Sequence, residues 1–195
     1  MNRYYEIYSS NKANGRGPVF DYVTKTFSGK MKILEIGSIR DLNSHAVAGD
    51  GWSTFWWCDY VKENGGSLTV VDINPQAIEN CKIAVEDFSK EIEIDFNAAD
   101  GLPFISSEYD FIYLDGSDCP KEMLNQFKNI DRNKTSILCD DFDQKGALLS
   151  DEAGSFLEDE IETEKLRVKV FENYTSLVVP NGQSNGHRMA FYPKK

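Results

Sequence analysis

The chain has 195 residues, 41% hydrophobic and 27% charged, with a formal net charge of -11. That is the make-up of one ordinary folded domain, long enough for a sizeable core and short for two. With no stripe of Lys and Arg to meet phosphates, nucleic acid is not an expected partner, and neither is an anionic membrane surface.

Four cysteines, at 58, 81, 119 and 139, form no Cys-x-x-Cys pair. Reduced thiols in a cytoplasmic protein are expected. The N-terminus, Met1-Asn-Arg-Tyr-Tyr, lacks the apolar core of a signal peptide. No apolar run reaches membrane-spanning length.

Residues 1–30 read as an N-terminal helical cap on a domain spanning 31–195. Tyr4, Tyr5, Ile7 and Tyr8 precede a polar turn, Asn11 to Gly17. Pro18 then opens a helix with Val19, Tyr22, Val23 and Phe27 at helical spacing. Continuous apolar runs follow at Lys32–Ile36, Leu68–Val71, Phe111–Leu114 and Ile137–Cys139, with a weaker one near Ile92–Ala98. Runs that do not alternate predict strands buried on both faces, hence a parallel sheet.

Between them the spacing predicts helices over 53–64, closed by Gly65-Gly66, over 75–88, capped by Asn74, and over 120–130. Alternating strand and helix imply an α/β, doubly wound, mostly parallel sheet. The acidic stretch 150–165 reads as a solvated helix. Runs at 168–171, 176–179 and 188–192, with Asn181-Gly182 and Asn185-Gly186 between the last two, predict a C-terminal antiparallel hairpin.

Acids cluster where the parallel strands end, and in open α/β sheets ligands bind outside those ends. Asp72 follows the second strand. Asn74 already caps the next helix, so Asp72 is left to accept the ribose hydroxyls of a nucleotide-like cofactor. Gly37 follows the first strand and allows close backbone approach. Glu35 beside it would repel a pyrophosphate and suits a cofactor bearing an amino group and a positive charge. No Gly-x-Gly-x-x-Gly is present. Residues 39–48 intervene before Gly49-Asp50-Gly51-Trp52-Ser53-Thr54.

Leu34-Glu35-Ile36-Gly37-Ser38, Gly51-Trp52-Ser53-Thr54 and Val70-Val71-Asp72-Ile73-Asn74-Pro75, in that order, resemble the class I S-adenosylmethionine-dependent methyltransferases. Asp100-Gly101-Leu102-Pro103 and Phe111-Ile112-Tyr113-Leu114-Asp115-Gly116-Ser117 are similar to that family's next two motifs. The resemblance implies a Rossmann-like seven-stranded sheet with a reversed last strand. It also implies that S-adenosylmethionine is held by Glu35, Gly37, Ser38, Gly51, Ser53, Asp72, Ile73, Asp100, Gly101 and Asp115.

Asp115 and the pair Asp140-Asp141 bring three carboxylates to one sheet edge, which requires a compensating cation or proton. Oxygen ligands of this kind suit Mg²⁺. The resemblance extends to metal-dependent O-methyltransferases of small molecules and sugars, and implies Asp115, Asp140 and Asp141 as metal ligands. A metal holding two neighbouring substrate oxygens would lower the pKa of the attacking hydroxyl. Asp118 is the candidate base, with helix capping as its other reading. His45, in the irregular loop, is the second candidate. Of Trp52, Trp56 and Trp57, at least one is expected in the core and another against cofactor or substrate. The N-terminal tyrosines and the 11–17 loop are read either as a lid or as packing.

The expected function is therefore S-adenosylmethionine-dependent O-methylation of a small molecule or sugar, with homo-oligomerisation left open. A nicotinamide-dependent oxidoreductase or epimerase is the alternative, weakened by the missing glycine fingerprint and the lack of a Tyr-x-x-x-Lys pair. A non-catalytic cofactor-binding module is the third.

Overall fold

A computed structural model describes residues 2–12, 15–43, 52–117, 119–142, 161–162, 166–179 and 188–195. The parallel half runs β1 (Met31–Ile36), α3 (Ser53–Asn64), β2 (Gly66–Asp72), α4 (Pro75–Ala84), β3 (Glu93–Ala98), β4 (Phe111–Leu114), α5 (Pro120–Lys128) and β5 (Ser136–Cys139). Two helices precede it, α1 (Arg3–Asn11) and α2 (Gly17–Thr24). An antiparallel part follows: β6 (Ile161–Glu162), β7 (Arg167–Val170), β8 (Thr175–Val178) and β9 (Arg188–Tyr192).

The strands form one sheet in the order β3-β2-β1-β4-β5-β9-β8-β7-β6. β1 pairs in parallel with both β2 and β4, so the winding reverses there. β9 runs antiparallel to β5, as the expected reversed strand does. The sheet has nine strands where seven were expected. One of the additions is β6, inside the stretch expected to be helical from 150 to 165. Its backbone pairs Ile161 with Val168 and Glu162 with Arg167, so a ladder partner overrides local helix preference at these two residues. The rest of that stretch, and the Asn-Gly turns at 181 and 185, lie outside the described residues.

Strand alternation distributes the core. Met31 and Ile33 of β1, Phe111 and Tyr113 of β4 and Leu138 of β5 face a cluster containing residues of α1 to α4. Leu34, Ile36, Ile112, Leu114, Ile137 and Cys139 face the other way, onto Met123, Phe127 and Ile130 from and just after α5. Helices thus cover both faces, as a doubly wound sheet requires.

The helix ends are set by local chemistry. The Asn74 side chain accepts from the Gln76 amide with Pro75 in the first turn, and Gly65 closes α3 through its amide to Val61 O. The tyrosine-rich start, read as part of an N-terminal helical cap, forms α1. Asn2 caps it by accepting from the Tyr4 and Tyr5 amides, and its Nδ2 donates to Ala84 O at 2.9 Å. Tyr8 stacks on Phe55 at 4.8 Å. All three tryptophans are buried, and all belong to the core. Among the described residues no helix is long and apolar enough to cross a membrane.

Candidate active site at the carboxyl ends of the parallel strands

Gly37 follows β1 with φ +100°, and its amide donates to Val71 O at 2.8 Å. A Cβ there would lie 2.8 Å from the Asp115 carbonyl carbon, so the β1 and β4 exits touch backbone to backbone and only glycine fits. A Cβ on Gly101 would lie 2.5 Å from Ile36 Cγ2. Those contacts bring the ends of β1 and β4 and the 100–101 turn to one place. The Asp100 carboxylate accepts from the Leu102 amide there, at 3.0 Å.

Asp72 ends β2, half-buried. Its Oδ2 accepts from Ser38 Oγ at 3.1 Å and its Oδ1 from the Asn74 amide at 2.8 Å. Each oxygen keeps lone-pair capacity, because a carboxylate accepts about four hydrogen bonds and makes two here. Next to it, Ile73 is 74% exposed, the larger of the two exposed hydrophobics among the described residues. An acid followed by a bare apolar side chain, on the strand beside the winding reversal, fits a ribose and the flat face of a base. Ser38, Asp72, Ile73, Asp100 and Gly101 thus belong to one neighbourhood.

Glu35 is placed differently from its expected role. It shares the parity of Ile33, so it faces α3 and is wholly excluded from solvent. Ser53 Oγ donates to it at 2.5 Å, Thr54 Oγ1 at 2.7 Å and Trp57 Nε1 at 3.1 Å. Burial pushes its carboxyl up to about 7, against the pull of those three donors. Glu35 therefore anchors the first turn of α3 and fixes Ser53; it offers no surface to a ligand. Trp52, just before α3, takes φ +43° and donates its indole N–H to Asp41 O at 3.1 Å. Gly51 and His45 lie outside the described residues, as does Asp118. Beside Asp118, Ser117 Oγ accepts from the Cys119 amide at 3.0 Å, ahead of α5.

The acid trio is where sequence and structure diverge most. Asp140 has the parity of Leu138 and faces α2, without solvent exposure. Arg16, the residue preceding α2, reaches into the trio. Its Nη1 lies 2.9 Å from Asp140 Oδ2 and 3.8 Å from Asp115 Oδ2, and its Nη2 lies 3.9 Å from Asp141 Oδ1. The Tyr113 hydroxyl sits 3.0 Å from Asp140 Oδ2 and 3.3 Å from Asp115 Oδ2. The Asp141 amide donates to Asp140 Oδ1 at 2.8 Å, from a backbone at φ +48°.

Burial alone would lower the Arg16 pKa, but Asp140, Tyr113, Asp115 and Asp141 outweigh it and raise it. Burial, then the neighbouring Asp140, push the Asp115 carboxyl well above the usual range despite Arg16. Burial and the same acids push the Tyr113 phenol up.

These residues do not fit the expected Mg²⁺. The cation that three carboxylates demand is the Arg16 guanidinium. Like unit charges 4 Å apart repel by about 4 kcal/mol at the effective dielectric near a protein surface, and a divalent ion doubles that. Among the described residues, no three His, Cys, Asp or Glu side chains converge to hold a metal. Sequence reasoning required a counter-cation and missed its source. A lone arginine in a polar turn far upstream carries no local signal.

Residues 47–142, just under half of the chain, match the family model of a methyltransferase domain. No curated protein matches the chain. Among solved structures, the O-methyltransferase from Bacillus cereus in complex with SAH shares 16% identity, with a TM-score of 0.60 over 98% of this chain and 90% of that one. The precorrin-6y C5,15-methyltransferase from Geobacter metallireducens shares 12% identity, with a TM-score of 0.55 over 92% and 89%. A methyltransferase from Geobacter sulfurreducens shares 11%, with a TM-score of 0.50 over 99% and 80%. At these identities the likeness establishes the fold, a Rossmann-like sheet of the methyltransferase type.

Proposed function

We propose that the chain is an S-adenosylmethionine-dependent methyltransferase acting on a hydroxyl group of a small molecule. The observation that carries this reading is the pair Asp72 and Ile73. A half-buried carboxylate with spare acceptor capacity and a bare apolar side chain stand together at the end of β2, beside the winding reversal. The methyltransferase-domain match across 47–142 supports it, as does the fold shared with an SAH-bound O-methyltransferase.

Asp72 would hold the ribose and Ile73 one face of the adenine, with the Asp100-Gly101 turn alongside. Gly37 and Ser38 would line the approach to the methionine end, next to Ser53. Bound there, S-adenosylmethionine supplies a methyl group on a positively charged sulfur. The protein's part is to orient the acceptor oxygen and exclude water. The acidic balance favours a small acceptor over nucleic acid. The free, mostly buried cysteines accord with the reducing cytoplasm.

Incubation with S-adenosylmethionine carrying a labelled methyl group and a panel of catechols, phenols, glycosides and sugar nucleotides tests the reading. A labelled methyl group on an acceptor oxygen is the expected result. Hydride exchange with a nicotinamide cofactor in place of methyl transfer would overturn it.

A further inference from the structure

The strand-end acids sit against the Gly37 turn, because Asp115 packs its backbone on Gly37. On the methyltransferase reading, the reactive end of the cofactor would lie beside this cluster. The three acids differ in exposure. The Asp140 side chain has none, Asp141 shows 15% and Asp115 shows 24%. A carboxylate with no access to water needs a permanent counter-charge, and a guanidinium does not lose its proton in a protein.

Arg16 is delivered by a built element. The first residue of α2 packs directly on the end of α1: a Cβ on Gly17 would lie 1.9 Å from Lys12 O. α2 then packs Phe20 against Tyr113 at 5.7 Å and against Trp57 at 5.4 Å. Tyr113 is the same residue whose hydroxyl joins Asp115 and Asp140. The guanidinium and the ring beneath it are thus seated by one helix on one strand. A divalent ion could take the acids only by displacing that arrangement.

We infer that Arg16 is the resident cation of the acceptor end, a positioning residue that holds Asp140 at 2.9 Å with Asp115 and Asp141 at its margins, and lets a single hydroxyl bind without a divalent ion. A divalent ion selects neighbouring oxygen pairs by chelating them. A guanidinium committed to Asp140, with Asp115 and Asp141 at its margins, imposes no such pairing, so phenols and isolated alcohols are accepted alongside vicinal diols. That the ligand met there is a methyl acceptor rests on the methyltransferase reading; the ion-pair geometry does not.

Mn²⁺ binding to the full chain, read by the loss of the free-ion paramagnetic resonance signal, tests the inference with no cofactor present. The wild type is expected to leave the signal unchanged at sub-millimolar Mn²⁺. Arg16→Gln, which uncovers the acids at nearly constant volume, is expected to tighten Mn²⁺ binding at least roughly tenfold. Arg16→Lys keeps a positive charge and is expected to behave as wild type. Stoichiometric Mn²⁺ binding by the wild type, lost in Asp140→Asn, would overturn the inference, and needs no variant of Arg16 to fold. A folded Arg16→Gln that binds Mn²⁺ no better than wild type would overturn it too. Failure to bind S-adenosylhomocysteine would remove the methyltransferase reading and leave the Mn²⁺ result standing.

Discussion

Arg16 Nη1 lies 2.9 Å from Asp140 Oδ2, and that carboxylate has no contact with solvent. Removing one partner of a buried ion pair strands the other. Arg16→Ala is therefore expected to lower unfolding free energy by about 3–5 kcal/mol. Adding Asp140→Asn to it should restore part of that loss, since the stranded charge is gone. Urea midpoints of the single and double variants measure both. An Arg16→Ala midpoint equal to wild type would show that the pair is not the buried bond described.

Asp72 makes two hydrogen bonds, to Ser38 and to the Asn74 amide, and is only half-buried. Its loss should cost stability only about 1 kcal/mol. If it holds a ribose, Asp72→Ala should weaken S-adenosylhomocysteine binding roughly tenfold to hundredfold, since hydrogen bonds to a charged group are worth about 1.5–3 kcal/mol. Titration calorimetry beside thermal unfolding separates the two effects. An unchanged affinity removes Asp72 from the cofactor site.

Gly37→Ala places a methyl group 2.8 Å from the Asp115 carbonyl carbon at φ +100°. The left-handed penalty alone is about 1–2 kcal/mol, and the two strand exits must also part. A drop in thermal midpoint of several degrees is expected, together with weakened S-adenosylhomocysteine binding. A variant as stable as wild type would mean that the β1–β4 approach is looser than described.

The parallel half was legible because its strands are buried on both faces, and so appear as unbroken apolar runs such as Phe111–Leu114. That same feature hid the orientation of Glu35. An unbroken run carries no alternation from which a face can be read, and only the packed sheet shows that Glu35 follows Ile33 toward α3. The strand-end acids were legible as positions, and so was their need for a cation. Which cation it would be depends on Arg16 meeting Asp140 across 124 positions of chain, and local pattern does not report contacts of that range. β6 escaped for a similar reason: its pairing with β7 is tertiary.

Glu35 has a defined pH signature. Its folded pKa of about 7 lies above the unfolded value near 4.5, so the folded chain binds this proton more tightly. The contribution is fully present below about 4.5 and is lost as pH rises through 7, by about 3 kcal/mol in all. Glu35→Gln keeps a neutral acceptor for Ser53 and Thr54. It should fall below wild type least at pH 8, and the pH dependence between 5 and 8 should flatten. Urea denaturation of both proteins across that range is the check. A dependence as steep in Glu35→Gln as in wild type would assign it to other groups.

The central claim is that the ends of β1 and β2 form an S-adenosylmethionine site, and calorimetry on the wild-type chain tests it most directly. S-Adenosylhomocysteine is expected to bind at one site per chain, with no Mg²⁺ added and no change on adding a chelator, while NAD gives no heat of binding. Saturable binding of NAD with none of S-adenosylhomocysteine would contradict the account.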